Sequence, residues 1–270
     1  MRCSRLRRDL HRHTLLLLAA LALGSAVQAD SVPRFRPATV VLIIDDLGHH
    51  LAQGLRAVEL PGKVTLAILP HTPGARLLAE RATAAGKEVI LHAPMSNVHH
   101  KPLGPGGLTD DMTEQDFRET LSLSLRSTPH ARGVSNHMGS YLTGQREPMV
   151  WLMQELGQRG LYFVDSRTSS NTVAASTAAE FQIPTLSRQV FLDNIPSPDA
   201  IASRFEEVLE LASRMGIGVA IGHPYDPTLE YLQKTLPTLS ARGYRLALVS
   251  EALVFKARQP GVRLGGMPAN

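Results

Sequence analysis

Short apolar runs recur along the chain and alternate with stretches of helical periodicity. The runs lie at 40–44, 64–69, 88–91, 161–164, 217–221 and 245–249, with weaker runs near 132–135 and 189–192. Such runs are typical of strands buried on both faces, as in parallel sheets. Strands that alternate with helices imply parallel pairing and right-handed crossovers. The pattern predicts a single α/β domain that forms a distorted or incomplete (β/α) barrel, with a doubly wound open sheet as the alternative.

Three of the intervening helices carry end signals. These are Thr72-Pro73 and Gly86 for the first helix, Thr113 for the second, and Ser197-Pro198-Asp199 and Gly216 for the third. Serine and threonine cap helix N-termini, proline suits the first turn, and glycine ends helices. In the second helix, Phe117, Leu121 and Leu125 fall on one face, which predicts that this face is buried.

Residues 1–29 have the composition of a secretory signal peptide. Five arginines precede the apolar stretch Leu15–Leu23, and small residues follow it up to Ala29. The apolar stretch is too short for a transmembrane helix. We predict export by the general secretory route rather than the twin-arginine route, cleavage after Ala29 with Ala26 as the alternative site, and a periplasmic product without a membrane span. An uncleaved leader that acts as an anchor is the alternative.

Removal of this leader would change the charge balance of the chain. The leader holds five of the 28 basic residues and one of the 24 acidic ones, so 23 of each remain. A balanced composition gives no indication of a nucleic-acid partner. Cys3 is the only cysteine and would leave with the leader, which excludes thiolate catalysis, disulfides and cysteine–zinc sites. Beyond the leader we predict a linker at 30–38, the barrel at 39–256 and a disordered tail at 257–270.

Polar side chains follow most of the predicted strands. They are Asp45-Asp46, His71, His92, Asn136-His137, Asp165-Ser166-Arg167 and His223. The carboxyl ends of barrel strands converge on one rim even when they are distant in sequence. Two adjacent carboxylates at a buried strand end are costly unless they are paired, protonated or metal-bound. The simpler interpretation of Asp45-Asp46 is a helix N-cap, but this leaves the second carboxylate unexplained.

A carboxylate and two imidazoles suit a divalent metal with open coordination positions. We predict that Asp46, His92 and His137 form this ligand set. Zinc accepts nitrogen and oxygen ligands and keeps a position for water. The same set suits non-haem iron, but a secreted hydrolase favours zinc. A lone strand-end histidine is more often an ordinary hydrogen-bonded loop residue, so the prediction depends on the three residues together.

Several segments resemble a known family. Ile43–Gly48 is similar to the Asp-Asp-Gly motif of the NodB-type polysaccharide deacetylases. The segments 91–95, 136–140, 163–168 and 221–224 resemble the branch called divergent polysaccharide deacetylases, and the resemblance covers roughly residues 38–253. It implies a distorted (β/α) barrel, a divalent metal, and N- or O-deacetylation of a cell-envelope glycan.

The resemblance also implies residue roles. By position, Asp45 matches the catalytic base, Asp46 a metal ligand, His92 the first metal histidine and His223 the general acid. The family's second metal histidine stands four residues after the first, where this chain has Ser96, so we assign the missing ligand to His137 from its strand-end position. The family's Arg-Pro-Pro motif is absent. Arg167 is our candidate for orienting the base, and Asp165, Ser140 and Tyr225 are our candidates for substrate binding.

Two other functional classes stay open at this point. One is a catalytically inactive envelope protein that uses the same barrel to bind a glycan or a partner. The other is a glycosidase that pairs Asp45 or Asp46 with Asp165, which would leave the strand-end histidines unused. A serine hydrolase is disfavoured because the chain has no Gly-x-Ser-x-Gly elbow. The expected partner is an acetylated polysaccharide, and the predicted compartment suggests peptidoglycan.

Overall fold

A computed structural model describes residues 37–258 of the chain. The predicted signal peptide, Cys3, most of the predicted linker and all but the start of the predicted tail lie outside the described residues. The strands are β1 (Ala38–Leu47), β2 (Thr65–Ile68), β3 (Glu88–Met95), β4 (Gly133–Met138), β5 (Tyr162–Asp165), β6 (Thr185–Ser187), β7 (Val190–Phe191), β8 (Ile217–Gly222) and β9 (Tyr244–Ala247). The helices are α1 (Leu51–Val58), α2 (Ala75–Ala84), α3 (Glu114–Ser127), α4 (Arg146–Arg159), α5 (Ala174–Glu180), α6 (Pro198–Met215), α7 (Asp226–Thr235) and α8 (Val249–Ala257).

All nine strands belong to one curled sheet with parallel pairing. Its order is β6-β5-β4-β3-β2-β1-β8-β7, and β9 pairs with the first half of β1 on the edge that β2 shares. Helices between consecutive strands, except between β6 and β7, make the crossovers that parallel pairing requires. The predicted distorted (β/α) barrel is confirmed, and the doubly wound open sheet is excluded.

The two ends of the sheet are joined by only two residues, Arg188 and Gln189. The Arg188 N–H continues the β5 ladder by donating to Asp165 O, and the Gln189 N–H donates to Val219 O of β8. The Gln189 side chain then accepts from the Val219 N–H at 2.7 Å, as a backbone carbonyl would. We call this pair the seam, because it brings the two end strands, β6 and β7, together.

Side chains that alternate in direction along the strands divide the core into an outer and an inner layer. In β1, Val40, Leu42 and Ile44 pack outward against helices, whereas Val41 and Ile43 point into the barrel. Inward residues of β3, β5, β6 and β8 complete the interior layer, which reaches Val249, Ala252 and Leu253 of α8. Since side chains alternate with a period of two, one strand can fill both layers. Helix α8 therefore closes the barrel at its amino-terminal end.

Polar contacts hold α8 at this closed end. Glu88, the first residue of β3, accepts hydrogen bonds from the Ser250 N–H at 3.1 Å and from the Thr65 hydroxyl at 3.3 Å. The Val249 N–H donates to Thr65 Oγ1 at 3.3 Å. The first N–H groups of a helix lack partners within the helix, so these contacts satisfy groups that would otherwise be buried without partners.

Most of the predicted helix ends are confirmed, and one is wrong. Thr113 and Ser197 cap α3 and α6 through their side chains, and Gly216 ends α6 with a φ of 81°. The first helix begins at Ala75 rather than at Thr72-Pro73, because the Thr72 hydroxyl donates to Leu69 O and holds a turn before the helix.

Strand β6 was not predicted, because Leu186 is its only apolar residue and one such residue does not make an apolar run. Within residues 37–258, every helix is too short or too polar to cross a membrane.

Candidate metal centre

The predicted site residues share the inward alternation of their strands. Asp45 follows Ile43 by two positions in β1, His92 follows Ile90 in β3, and His223 follows Ile221 at the end of β8. His137 follows Ser135 in the same way in β4. We expected these residues to follow their strands, but Asp45, His92 and His137 lie within them. The strands are longer than their apolar runs because parallel pairing continues through polar positions such as His92↔Ser135.

Asp46 reaches the same rim through a break in the alternation. The pairing of β1 with β2 shifts register between Ile44 and Leu47, and Asp46 has a φ of 62°. In a regular strand, Asp45 and Asp46 would point to opposite faces. Here Asp45 Oδ2 and Asp46 Oδ1 lie 3.5 and 3.2 Å from the same atom, His92 Nε2. The irregularity thus redirects one carboxylate beside the other, as β-bulges near active sites do.

Asp46, His92 and His137 bring three possible ligand atoms together. These atoms lie within 4.8 Å of one another. Asp46 Oδ1 is 2.7 Å from His137 Nδ1 and 3.2 Å from His92 Nε2. Neither contact has hydrogen-bond geometry, and among the described residues this buried oxygen has no hydrogen-bond partner. Ligands that share one zinc ion lie about 3 Å apart, so the group fits a divalent metal.

A neighbouring hydroxyl fixes the orientation of His92. Ser135 Oγ lies 2.7 Å from His92 Nδ1, in the middle of the adjacent strand. This contact leaves Nε2 to face the two carboxylates. A ligating histidine is usually held through its other ring nitrogen in this way. Sequence reasoning missed Ser135, although its position two residues before His137 places it on the inward face.

The two carboxylates differ in electrostatic character. Burial raises the pKa of Asp45 above its usual value, although His92 and His223 oppose the shift. Burial also opposes ionisation of Asp46, but contacts with His137 and His92 hold its pKa well below the usual range. Asp46 is therefore the better metal ligand, and Asp45 is the better proton acceptor near neutral pH.

His223 is held by a buried carboxylate that the sequence analysis did not identify. Asp193 Oδ1 lies 2.8 Å from His223 Nδ1, and Asp193 Oδ2 accepts from the His223 N–H and the Thr228 hydroxyl. Burial lowers the pKa of His223, but the hydrogen bond and charge of Asp193 more than offset this and raise it to about 9. The other ring nitrogen, Nε2, faces the centre at 3.9 Å from Asp46 Oδ2.

Two aromatic rings lie next to His223. The ring centroid of His223 is 6.0 Å from that of Phe191, which is stacked on it, and 5.5 Å from that of Tyr225, which is tilted. The Arg188 guanidinium lies 3.7 Å from the centre of the Phe191 ring, and it donates to the Ser166 and Arg167 carbonyls. The seam thus contacts the rim directly, which the sequence analysis did not anticipate.

Of the remaining predicted site residues, Tyr225 is exposed and lines the cavity at the centre. Ser140 Oγ accepts from the Val98 N–H, and both Asp165 carboxylate oxygens accept bonds from their own loop, from the Arg167 N–H and the Thr172 hydroxyl. Arg167 follows β5 at the rim. The N-cap interpretation of Asp45-Asp46 is wrong, because α1 begins at Leu51, after His50.

The centre opens into a cavity of about 760 Å³. Asp46, His137 and His223 line it, together with proline and leucine side chains: Leu69, Pro70, Pro94, Pro102, Leu103, Pro105 and Pro224. This volume is in the range of small-ligand sites. The proton donor and two of the possible metal ligands thus line one accessible space, while Asp45 and His92 are buried next to it and contact Asp46 through His92 Nε2.

Comparisons with known proteins agree with the fold. A family model described as divergent polysaccharide deacetylase matches residues 42–253. YibQ of Escherichia coli (strain K12) is 33% identical over 228 residues, which are 84% of this chain and 69% of YibQ. The crystal structure of Atu2773 from Agrobacterium tumefaciens C58 has a TM-score of 0.78 at 21% identity, covering 80% of this chain and 89% of that one.

A peptidoglycan N-acetylglucosamine deacetylase from Eubacterium rectale ATCC 33656 is also similar in structure. Its catalytic domain has a TM-score of 0.50 at 16% identity, covering 78% of this chain and 88% of that chain. At such identities, the solved structures show that the barrel fold is shared.

Proposed function

This chain belongs to the divergent polysaccharide deacetylase family, and we propose that it removes acetyl groups from a polysaccharide of the cell envelope with the help of a divalent metal ion. One observation carries the proposal. Asp46 Oδ1 is a buried carboxylate oxygen without a hydrogen-bond partner among the described residues, and two imidazole nitrogens face it. A buried oxygen that accepts no hydrogen bond is costly, and a cation between it and the two nitrogens would compensate for this cost.

Asp46, His92 and His137 would hold the metal. Nitrogen and oxygen donors favour zinc, which is our first candidate, with iron as the alternative. When bound, the metal would supply Lewis-acid chemistry, polarising an acetyl carbonyl and lowering the pKa of a water molecule. The Ser135 contact keeps His92 Nε2 directed at this position.

Asp45 and His223 would perform the proton transfers. Asp45 accepts a proton from the attacking water, whose oxygen bonds to the acetyl carbon. The bond from that carbon to the sugar nitrogen or oxygen then breaks, and His223 donates the proton that the leaving group needs. Asp193 holds His223 protonated and directs Nε2 at the centre. Acetate and the free amine or hydroxyl are the products.

The substrate and the location belong to the same proposal. The neighbouring rim residues Tyr225, Ser140 and Asp165 are our candidates for binding the sugar, and Arg167 is our candidate for positioning Asp45. The family supports an acetylated polysaccharide, and peptidoglycan is the candidate that an envelope location suggests. The signal-peptide composition of residues 1–29 supports export to the periplasm.

The first experiment measures the metal content of the purified protein by elemental mass spectrometry. The parent is compared with His137→Ala and with His50→Ala, which removes an exposed histidine of the same cavity that is outside the ligand set. We expect about one metal ion per chain in the parent and in His50→Ala, and its loss in His137→Ala. Acetate release from acetylated glycans, including peptidoglycan, is then measured on the loaded parent.

The outcomes separate the two functional classes. Metal that depends on His137, together with acetate release, supports the deacetylase. Metal without acetate release from any glycan favours the inactive binding protein. No metal after incubation with zinc, or unchanged metal in His137→Ala, overturns the proposed centre.

A further inference from the structure

Helix α8 lies across the closed end of the barrel. Its first N–H groups contact Thr65 and Glu88, which begin β2 and β3. Near its other end, the Lys256 ammonium donates to Thr185 O of β6 at 3.1 Å. The inner face of α8 is buried in the barrel, with Leu253 in the interior layer. The opposite face of the helix is therefore an outer surface of this end.

This outer face of α8 is apolar in its second half. Val254 is 52% exposed, although its neighbour Leu253 is only 9% exposed. Ala257, one turn further along the helix, is exposed as well. A single exposed valine is ordinary on a protein surface, so its meaning depends on the side chains around it.

Basic side chains lie at the same end of the barrel. Lys63 pairs with Glu251 in the first turn of α8, and the Arg245 guanidinium lies 4.8 Å from the centre of an aromatic ring of the helix. Arg132 directly precedes β4 and Arg258 directly follows α8, and both are exposed. We call the following group the basic surface: Lys63, Arg132, Arg245, Lys256 and Arg258.

The connecting segments show the same difference in charge between the two ends. Segments from a helix back to a strand lie at the closed end and hold four basic side chains and one acidic one, Glu59. Segments from a strand to a helix lie at the rim and hold two basic and three acidic side chains. The basic ones are Lys63, Lys87, Arg132 and Arg242 at the closed end and Lys101 and Arg167 at the rim, and the acidic ones at the rim are Asp110, Asp111 and Asp193. Because Lys87 is buried and Arg242 pairs with Glu206, the exposed excess at the closed end comes from the basic surface.

Stabilisation of helices does not account for this surface. Basic side chains are favoured in the last turn of a helix, where they offset the negative end of its dipole. Lys63, Arg132 and Arg245 instead lie before or within strands. Among residues 37–258, Arg132, Arg245 and Arg258 form no salt bridge with a carboxylate. Their charges are available to an anionic partner outside the molecule.

The rest of the chain is joined to this same end. Strand β1 begins and α8 ends there, so residues 30–36 and 259–270 are continuous with the closed end. These two segments hold three arginines and one acidic residue, Asp30. Their composition adds to the positive charge of the closed end.

We propose that the closed end docks on the surface of a membrane that contains anionic phospholipids. The basic surface attracts the phosphate headgroups, and Val254 reaches the boundary between the headgroups and the acyl chains. The rim then faces away from the lipid, which leaves the cavity at the metal centre open. The docking surface lies at the opposite end of the barrel from the proposed chemistry and does not depend on it.

The test measures binding of the protein to vesicles by co-sedimentation. Protein purified after expression of residues 1–270 is mixed with vesicles of phosphatidylcholine alone, or of equal parts of phosphatidylcholine and phosphatidylglycerol, at low and high salt. We expect binding to the vesicles with phosphatidylglycerol, weakened by salt because salt screens exposed charges. No binding overturns the proposal. Binding that is equal on the two kinds of vesicle and insensitive to salt also overturns it, and favours an uncleaved leader as the anchor.

A double variant locates the docking surface. Arg132→Ala with Arg258→Ala removes two charges of the basic surface, and the partition constant onto vesicles with phosphatidylglycerol should fall about 25-fold, because each basic side chain near an anionic membrane contributes about fivefold. The matched control, Arg76→Ala with Lys101→Ala, removes two exposed basic side chains at the rim and should bind like the parent. Equal losses in the two double variants overturn the closed end as the docking surface.

A second pair of variants tests the apolar contact. Val254→Ser should weaken binding about threefold, since it removes about half of the burial energy of a valine. Leu77→Ser is the control, because Leu77 is 40% exposed in the first turn of α2, at the rim. An unchanged partition constant in Val254→Ser overturns the contact between α8 and the lipid. Thermal unfolding of each variant checks that the fold is intact, and the metal content of the parent tests the proposed function separately.

Discussion

Buried carboxylates occur at both ends of this barrel, and Glu88 at the closed end differs from the pair Asp45-Asp46 at the rim. At the closed end, Glu88 is 5% exposed and accepts hydrogen bonds from a helix N–H and a hydroxyl. At the rim, Asp45 is 2% exposed, yet Asp45 Oδ1 and Asp46 Oδ1 have no hydrogen-bond partner among residues 37–258. Satisfied carboxylates stabilise a fold, whereas unsatisfied ones cost free energy. The comparison indicates that Glu88 serves stability and that Asp45-Asp46 give up stability for chemistry, although the rim carboxylates of Asp165 and Asp193 are hydrogen-bonded.

The largest expected effect tests the rim. Asp45→Asn removes the proposed base but none of the three ligand atoms, so kcat should fall about 10²–10⁴-fold with unchanged metal content. Because the substitution also removes a buried charge with an unpaired oxygen, the free energy of unfolding of the metal-free protein should rise by about 1 kcal/mol. Steady-state kinetics, elemental analysis and urea denaturation measure the three quantities. A less stable variant would contradict the interpretation of the rim as a destabilised region.

The second prediction concerns the buried partner of His223. Asp193→Asn removes the charge that raises the pKa of His223, so kcat should fall about 10–100-fold at neutral pH. The proposed acid must be protonated to act, and a lower pKa means that it loses its proton at lower pH. The alkaline limb of the pH–kcat profile should therefore shift to lower pH. Thr228→Val, which removes another contact of Asp193, is the control. An unshifted limb with an intact fold would mean that His223 is not the acid.

The smallest expected effect tests the closed end. Glu88→Ala leaves the Ser250 N–H and the Thr65 hydroxyl without this acceptor, so the free energy of unfolding should fall by about 2 kcal/mol. Metal content and kcat should stay at parental values, because α8 lies at the opposite end of the barrel from the rim. Glu88→Gln keeps one carbonyl oxygen as an acceptor and should lose less stability. Loss of metal in Glu88→Ala would show that the closed end is not independent of the metal centre at the rim.

Much of the rim could be predicted from the sequence because the signals are local. A buried apolar run that ends in Asp45-Asp46 indicates both a strand and its functional end, and the run before His92 does the same. The alternation Ile90-His92 and Ile221-His223 would also have shown which side chains point inward. The caps at Thr113 and Ser197 were readable because each depends on only a few neighbouring residues.

The parts that could not be predicted depend on contacts between distant residues. Asp193 follows the two-residue strand β7, whose weak apolar run gave no reason to single it out. The irregularity that redirects Asp46 depends on pairing with β2, which the sequence of β1 does not contain. The role of Arg188 depends on closure of the sheet, which brings its guanidinium against the β5 exit at Ser166.

A circular permutant with new termini between Arg188 and Gln189 would separate β6 from β7 in the chain without removing a residue. Elsewhere neighbouring strands of the barrel are joined by backbone hydrogen bonds, but between β6 and β7 continuity depends on the Arg188–Gln189 peptide bond and on the Arg188 guanidinium over the Phe191 ring. Such a protein would keep all its helices, but its sheet would no longer be held closed between β6 and β7. Topological closure and local helix formation can thus be separated experimentally in this barrel. The permutant would show whether the catalytic geometry at the rim needs a continuous ring or only an ordered set of neighbouring strands.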